Sequence, residues 1–316
     1  MSDIEYSVVI PVYNSGDWME ELIGQIQRVM DSLNESYEIV MVNDGSPKLE
    51  TWGIMVDLSE KYSHMKMINL QYNSGQLNAL LCAMKHSSGK YVITMDDDFQ
   101  HSPDEIPKLV AKIKDTDCDC VIANYAHKEH NIFRKLGSKF ANYLSHKIYR
   151  KPKNITSNSF RIMTRNLAIA LTSYKGKFPQ IGPMIFSLTR NIDVVTIEHK
   201  ERKYGKSGYS VGHLISETIN IIINGSTFPI DCMAFFGMVV SGLSFLIAIL
   251  YFILYILGQT KVPGFTAQIL VTAFFSGVIT FSIGIVGKYI GKLVKESSGF
   301  PPYLEREIKC SKEEEK

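Results

Sequence analysis

Three adjacent aspartates, Asp96, Asp97 and Asp98, follow the apolar run Tyr91-Val92-Ile93-Thr94-Met95, with Gln100 two residues further on. Neighbouring carboxylates repel one another, and a solvated loop tolerates three of them poorly unless a cation sits there. In extended chain Asp96, Asp98 and Gln100 project to one side. That is an all-oxygen donor set suited to Mg²⁺ or Mn²⁺, with diphosphate oxygens completing the shell. The plainer reading is an acidic turn capping a helix that begins near Pro103-Asp104-Glu105. The place of the cluster, just past an apolar strand, favours the cation.

The elements that must position it repeat as strand, loop and helix. Tyr6 to Ile10 ends at Pro11-Val12-Tyr13-Asn14, and a helical pattern follows from about Trp18 to Leu33. Glu38 to Val42 runs into Asn43-Asp44-Gly45-Ser46, and Met65 to Leu70 precedes Asn73-Ser74-Gly75-Gln76. This alternation predicts an α/β fold with a mainly parallel sheet covered by helices. Strands apolar on both faces agree with a doubly covered sheet, and the polar residues collect at the carboxyl ends, where open α/β sheets bind ligands. No G-x-G-x-x-G opens the first helix and no G-x-x-x-x-G-K-S/T occurs, which disfavours dinucleotide dehydrogenases and P-loop phosphotransferases.

Charge is nearly balanced, 34 Lys+Arg against 32 Asp+Glu, so nothing suggests nucleic acid as a partner. Five scattered cysteines, Cys82, Cys118, Cys120, Cys232 and Cys310, read as reduced thiols rather than a disulfide framework. The first residues lack the basic and apolar regions of a signal peptide. Two uncharged runs, 233–257 and 265–287, are each long enough to cross a ~30 Å hydrocarbon core. They predict a transmembrane hairpin in the lipid bilayer, and buried helices of a soluble protein are the alternative. Lys261 alone occupies the turn, while Lys288, Lys292, Lys295, Arg306 and Lys309 follow the second run. The positive-inside rule therefore places both the front domain and the tail in the cytoplasm. The expected organisation is a cytoplasmic domain over 1–210, an interfacial helix over 211–230, spans within 231–290 and a cytoplasmic tail over 291–316. The interfacial helix rests on Leu214, Ile215, Thr218, Ile219, Ile222 and Ile223, at three- and four-residue spacing.

The motif string is specific. Pro11-Val12-Tyr13-Asn14, Asn43-Asp44-Gly45-Ser46, Asn73-x-Gly75-Gln76 and Asp96-x-Asp98-Phe99-Gln100-x-x-Pro103-x-Glu105-Ile106-Pro107 occur in that order. Asn158-Ser159-Phe160-Arg161 and Arg202-Lys203-Tyr204-Gly205-Lys206-Ser207-Gly208 continue it. Over nearly the whole chain this resembles the family 2 glycosyltransferases of GT-A fold. Within them it is similar to the dolichyl-phosphate mannose synthase and bacterial polyprenyl-phosphate glycosyltransferase branch. The resemblance implies a cell-membrane enzyme that moves one sugar, with inversion, from a nucleotide-sugar (a UDP-hexose) to a polyprenyl phosphate such as undecaprenyl phosphate. Many relatives with such hairpins also associate through them, so a homo-oligomer is implied too.

By the same resemblance, Pro11, Tyr13, Asn14, Asp44, Gln76, Asp96 and Asp97 contact the donor, Tyr13 against the base and Asp44 accepting from it. Asp96, Asp98 and Gln100 hold Mg²⁺ or Mn²⁺. Asp98, Arg202, Lys206 and Ser207 are the catalytic group, the last three clamping phosphate from a glycine-punctuated loop. A juxtamembrane patch drawn to anionic headgroups is the other reading of that loop. Lys128, Arg134 and Ser138 form a second candidate site for the acceptor phosphate, with a solvated basic helix face as its alternative. The chain departs from the family pattern at Ser15, Asn43 and Ser159, where acidic residues are usual, and at Tyr125 and Lys128, where arginines are common. The expectation is altered sugar selectivity. A GDP-mannose-dependent mannosyltransferase and a catalytically silent scaffold for a flippase or transferase are the alternatives. A polymerising synthase fits poorly, with only two spans and no Gln-x-x-Arg-Trp element.

Overall fold

The computed structural model describes residues 4–125, 155, 158–176, 178–197, 228–257, 264–297 and 300–311. Its elements begin with β1 (Tyr6–Val12), α1 (Trp18–Ser32), β2 (Tyr37–Asn43), α2 (Leu49–Lys61), β3 (Met65–Leu70) and α3 (Gln76–His86). Then come β4 (Tyr91–Thr94), a 3₁₀ turn (Pro103–Glu105), α4 (Ile106–Thr116), β5 (Cys120–Tyr125) and β6 (Arg161–Thr164). They are followed by α5 (Arg165–Thr172), α6 (Ile181–Leu188), β7 (Ile192–Ile197), α7 (Phe228–Ile256), α8 (Phe265–Ser297) and β8 (Glu305–Cys310). The described residues form two compact units. One holds the strands and short helices together with β8; the other holds α7 and α8.

The strands make one sheet in the order β7-β5-β6-β4-β1-β2-β3-β8. β3, β2, β1 and β4 are mutually parallel, while β6 runs antiparallel to both β4 and β5 and β8 runs antiparallel to β3. β1 and β2 are buried along their whole length, as a sheet covered on both faces requires. Their alternation splits the core in two. Val8, Ile10, Ile39 and Met41 enter one apolar layer with Leu22, Ile23 and Ile26 of α1. Val9, Val40 and Val42 enter the other with Leu80, Leu81 and Met84 of α3. On α1 the buried side chains Met19, Leu22, Ile23, Ile26, Val29 and Met30 recur every three or four residues, one stripe facing the sheet.

One carboxylate lies inside this apolar frame. Glu38 of β2 is 1% exposed and accepts from Ser7 Oγ at 2.6 Å and from the Ser88 backbone N–H, with Lys66 Nζ 3.5 Å away. Glu38→Gln keeps the shape but turns an N–H₂ donor toward groups that already donate. A loss of about 2 kcal/mol of stability is expected, read as a lower denaturation midpoint for Glu38→Gln than for wild type.

The segment 291–316, expected as a tail, supplies β8. Ile308 pairs with Ile68, and Gln71 N–H donates to Leu304 O at 2.8 Å. β8 covers the β3 edge that would otherwise present unpaired backbone groups. In the second unit, stretches of α7 and α8 are long and apolar enough to cross a membrane, Pro229–Ile247 and Phe274–Gly291. Phe235, Met238, Leu243, Phe281 and Ile283 on them are exposed, the inverse of what core helices of a soluble protein show. The expected interfacial helix over 211–230 lies, up to residue 227, outside the described residues.

Candidate active site

The chain runs β1, β2, β3 in one direction across the sheet, then returns to place β4 on the other side of β1. The crevice between the carboxyl ends of β1 and β4 is therefore a topological switch point, where α/β sheets take their ligands. Ser15, just past β1, donates across that crevice to Asp97 Oδ2, just past β4, and Trp18 Nε1 donates to the Asp97 carbonyl at 3.2 Å.

Around it the sequence-predicted donor residues converge. Asp96 accepts at both oxygens, from Gln76 Nε2 at 2.7 Å and from Ser159 Oγ at 2.6 Å. Gln76 opens α3 and Ser159 precedes β6, so one carboxylate joins the ends of three elements. Asp44 is nearly fully buried, and its two oxygens take the backbone N–H groups of Ser74 at 2.7 Å and Gly75 at 2.9 Å. Burial pushes the Asp44 carboxyl up, and those two donors pull against it. Asp44 thereby pins the β3–α3 loop, and with it Gln76. Gly45 allows this close approach: it has φ +57°, and a Cβ there would meet the Tyr72 carbonyl carbon at 2.3 Å.

Pro11 is buried within β1, while Tyr13 stands half-exposed at its end. Asn14 takes a left-handed φ of 56° and its N–H donates to Ser46 Oγ at 2.9 Å. Its side-chain Oδ1 is buried with no donor among the described residues, an acceptor left for a ligand.

The acidic loop itself is not extended. Phe99 has φ 61°, a costly conformation for a bulky residue. Its ring is buried in the core, which holds the turn in place. The simple alternation expected for Asp96, Asp98 and Gln100 is therefore replaced by a bend in which Gln100 N–H donates to Asp98 Oδ1 at 3.1 Å. Burial, reinforced by the charges of Asp96 and Asp98, pushes the Asp97 carboxyl up to about 7, with the Ser15 hydroxyl pulling the other way. The charges of Asp96 and Asp98 act on Asp97, and Asp96, Asp98 and Gln100 offer an oxygen-only donor set of the type that suits Mg²⁺ or Mn²⁺.

Sequence reasoning missed His101. Its ring is buried and stacked on Phe160 with centroids 5.1 Å apart. The Asp96 backbone N–H donates to Nδ1 at 3.0 Å, so the ring proton sits on Nε2, 3.1 Å from Asn158 Oδ1; Asn158 Nδ2 in turn donates to the Ala123 carbonyl. This chain anchors the start of the acidic loop to β5. One histidine between Gln100 and Ser102 carries no spacing signal of its own. Arg202, Lys206 and Ser207, and Lys128, Arg134 and Ser138, lie outside the described residues.

The family model for glycosyl transferase family 2 matches residues 7–173, from β1 through β4 and the acidic loop to α5. The chain belongs to this family. Two relatives match it almost end to end. One, from Enterobacter sp. (strain 638), is 30% identical over 94% of this chain and 91% of its own length. The other, from Klebsiella pneumoniae subsp. pneumoniae, is 29% identical over 98% and 97%. Both are undecaprenyl-phosphate 4-deoxy-4-formamido-L-arabinose transferases. Among solved structures, glucosyl-3-phosphoglycerate synthase from Mycobacterium tuberculosis, in complex with Mn²⁺, UDP and phosphoglyceric acid, shares the fold. It has a TM-score of 0.52 at 18% identity over 70% of this chain and 76% of that one. The family fold is GT-A, as the motif string implied.

Membership gives the departures a physical meaning. Ser15 and Ser159, which stand where this family usually carries acids, each donate a hydroxyl to an aspartate of the cluster. Asn43 donates to Asn69 Oδ1 at 2.9 Å, which a carboxylate could not do. All three side chains are hydrogen-bonded, Ser15 and Ser159 to the acidic loop and Asn43 to Asn69 and Ser46. Ser159→Ala removes a charge-assisted bond worth about 1.5 kcal/mol, so the Mn²⁺ concentration needed for half-maximal transfer should rise roughly tenfold. A titration of transfer rate against Mn²⁺ checks this; an unchanged midpoint would show that Ser159 does not hold Asp96 in place.

Proposed function

We propose that the chain transfers a single sugar from a UDP-sugar to undecaprenyl phosphate at the cytoplasmic face of the cell membrane, forming a lipid-linked sugar for cell-surface glycan. What carries this reading is the end-to-end similarity, apolar helices included, to two transferases named for undecaprenyl phosphate. The sugar those two transferases are named for is a modified pentose, so pentose donors stand beside the hexoses that the sequence resemblance suggests.

In this reading Tyr13 packs against the base and the β3–α3 loop, pinned by Asp44, sets the nucleotide. Asp96, Asp98 and Gln100 would hold Mg²⁺ or Mn²⁺ against the donor diphosphate. When bound, the cation neutralises charge on the departing nucleoside diphosphate. The acceptor phosphate is already ionised at neutral pH, so it needs positioning and desolvation rather than a strong base. Arg202, Lys206 and Ser207, in the glycine-punctuated stretch of sequence ahead of the apolar runs, would supply that positioning, with Lys128, Arg134 and Ser138 as a second phosphate contact. Attack from the face opposite the diphosphate inverts the anomeric carbon. The hairpin of α7 and α8 keeps the domain beside the bilayer that holds the acceptor, and the lysines that follow the uncharged run 265–287, Lys288, Lys292 and Lys295 within α8 among them, orient it.

The deciding experiment is transfer by detergent-purified protein with undecaprenyl phosphate, Mn²⁺ and a panel of labelled UDP-pentoses, UDP-hexoses and GDP-mannose. A lipid-linked product that disappears with EDTA is the expected result, and the donor that gives it names the sugar. Product from GDP-mannose alone would replace the UDP assignment. Nucleotide binding with no transfer from any donor would favour the scaffold.

A further inference from the structure

Away from the donor site, α3 and β8 bring together three side chains of metal-ligating type. Cys82 and His86 lie four residues apart on one face of α3, and Glu305 is the first residue of β8. One donor atom from each, a thiol sulfur, an imidazole nitrogen and a carboxylate oxygen, lies within 4.8 Å of the other two. His86 Nε2 is 2.9 Å from Glu305 Oε1, and Cys82 Sγ is 3.9 Å from that same oxygen. Nε2 is buried, yet at this short distance it makes no hydrogen bond of acceptable angle. A nitrogen and an oxygen in contact but not aimed at each other are arranged as ligands converging on a third point. A tetrahedral zinc ion, with bonds of about 2.0–2.3 Å, spaces its donors roughly 3.4–3.6 Å apart. The Nε2–Oε1 pair must open and the Sγ–Oε1 pair close by about half an ångström or less to reach that spacing.

We propose that Cys82, His86 and Glu305 form a zinc site, with a fourth position open to water, that ties the C-terminal strand to α3. Thiolate and imidazole select zinc over Mg²⁺, the opposite preference to the all-oxygen Asp96 and Asp98 cluster. Burial holds the Cys82 thiol up, so its proton leaves to solvent as the metal binds. The Tyr303 hydroxyl hydrogen-bonds the Cys82 sulfur and remains as an outer partner of the ligand. Lys85 Nζ, 3.7 Å from Glu305 Oε1 and half-exposed, can turn to water when the carboxylate takes a metal. The consequence reaches the donor site. α3 begins with Gln76, which holds Asp96, and β8 pairs with β3, whose following loop Asp44 pins. A zinc ion here braces both elements from behind.

The test uses the full chain in detergent, stripped with chelator and titrated with Co²⁺ and then Zn²⁺. One equivalent of Co²⁺ should give a thiolate-to-cobalt charge-transfer band that Zn²⁺ abolishes. The band should vanish in Cys82→Ser. In His86→Gln the Co²⁺ affinity should fall at least about 100-fold, beyond what loss of an outer partner does. Asp98→Ala should keep the band, because the carboxylate cluster contains no sulfur. Zn²⁺ should also raise the melting temperature of the stripped wild type and leave that of His86→Gln unmoved. No band in the wild type, or one that survives in Cys82→Ser, overturns the site.

Discussion

Asp98→Ala should lower the transfer rate by at least about 10³-fold, equivalent to about 4 kcal/mol of transition-state stabilisation, while leaving the fold intact. The two halves of that expectation have separate causes. Asp98 lies in a loop, partly exposed, and the loop is anchored by its neighbours: Phe99 in the core, and His101 bonded to the Asp96 backbone. Removing its carboxylate therefore leaves the melting curve close to that of wild type. On the proposed role, the chemistry loses one of the carboxylates that would hold the cation, and Asp96 is already engaged by Gln76 and Ser159. Initial rates of lipid-linked product formation, with Mn²⁺ at saturation, measure the effect beside a thermal melt. A variant retaining a tenth of the wild-type rate would mean that Asp98 does not hold the cation.

The second large effect is expected at Asp44, and it runs the other way, through stability first. Asp44→Ala strands the Ser74 and Gly75 N–H groups, both part-buried, and uncouples the β3–α3 loop from the end of β2. Each lost acceptor costs about 1–3 kcal/mol, less the desolvation relieved by removing a buried carboxylate, for a net loss of about 3 kcal/mol. A domain of this size should then melt roughly 6–12 °C lower. Donor KM should rise by tenfold or more, since Gln76 loses its fixed place. Asp44→Asn keeps one acceptor oxygen but turns an amide donor against the other N–H, so it should fall between alanine and wild type. If Asp44→Ala melts with the wild type, the loop is held by something else and Asp44 acts on the nucleotide alone.

Much of this protein is set by local pattern. Apolar strands such as Tyr6–Val12 and Tyr37–Asn43 are continuous because both sheet faces are covered, and continuous runs are visible in sequence. The polar residues at their carboxyl ends, Asn14, Asp44 and Asp96 to Asp98, are legible for the same reason: they begin where the apolar run stops. The two long apolar helices follow from length and lack of charge alone.

What sequence left undecided depends on contacts across large separations. Ser15 and Ser159 look like losses until Asp97 and Asp96 are seen to accept from them, 82 and 63 residues away. His101 has no periodic neighbour to mark it; its role exists only because Asn158 and Phe160 come to meet it. Phe99 breaks the extended register of the acidic loop because the core beneath β4 has room for its ring, which no local rule foretells. Cys82, His86 and Glu305 meet only once residues 305–310, a short and highly charged stretch, find the open edge of β3. Local propensity and burial pattern determined the elements and the chemistry they carry. Pairing between distant segments decided which carboxylates are held, by what, and where a second metal can bind.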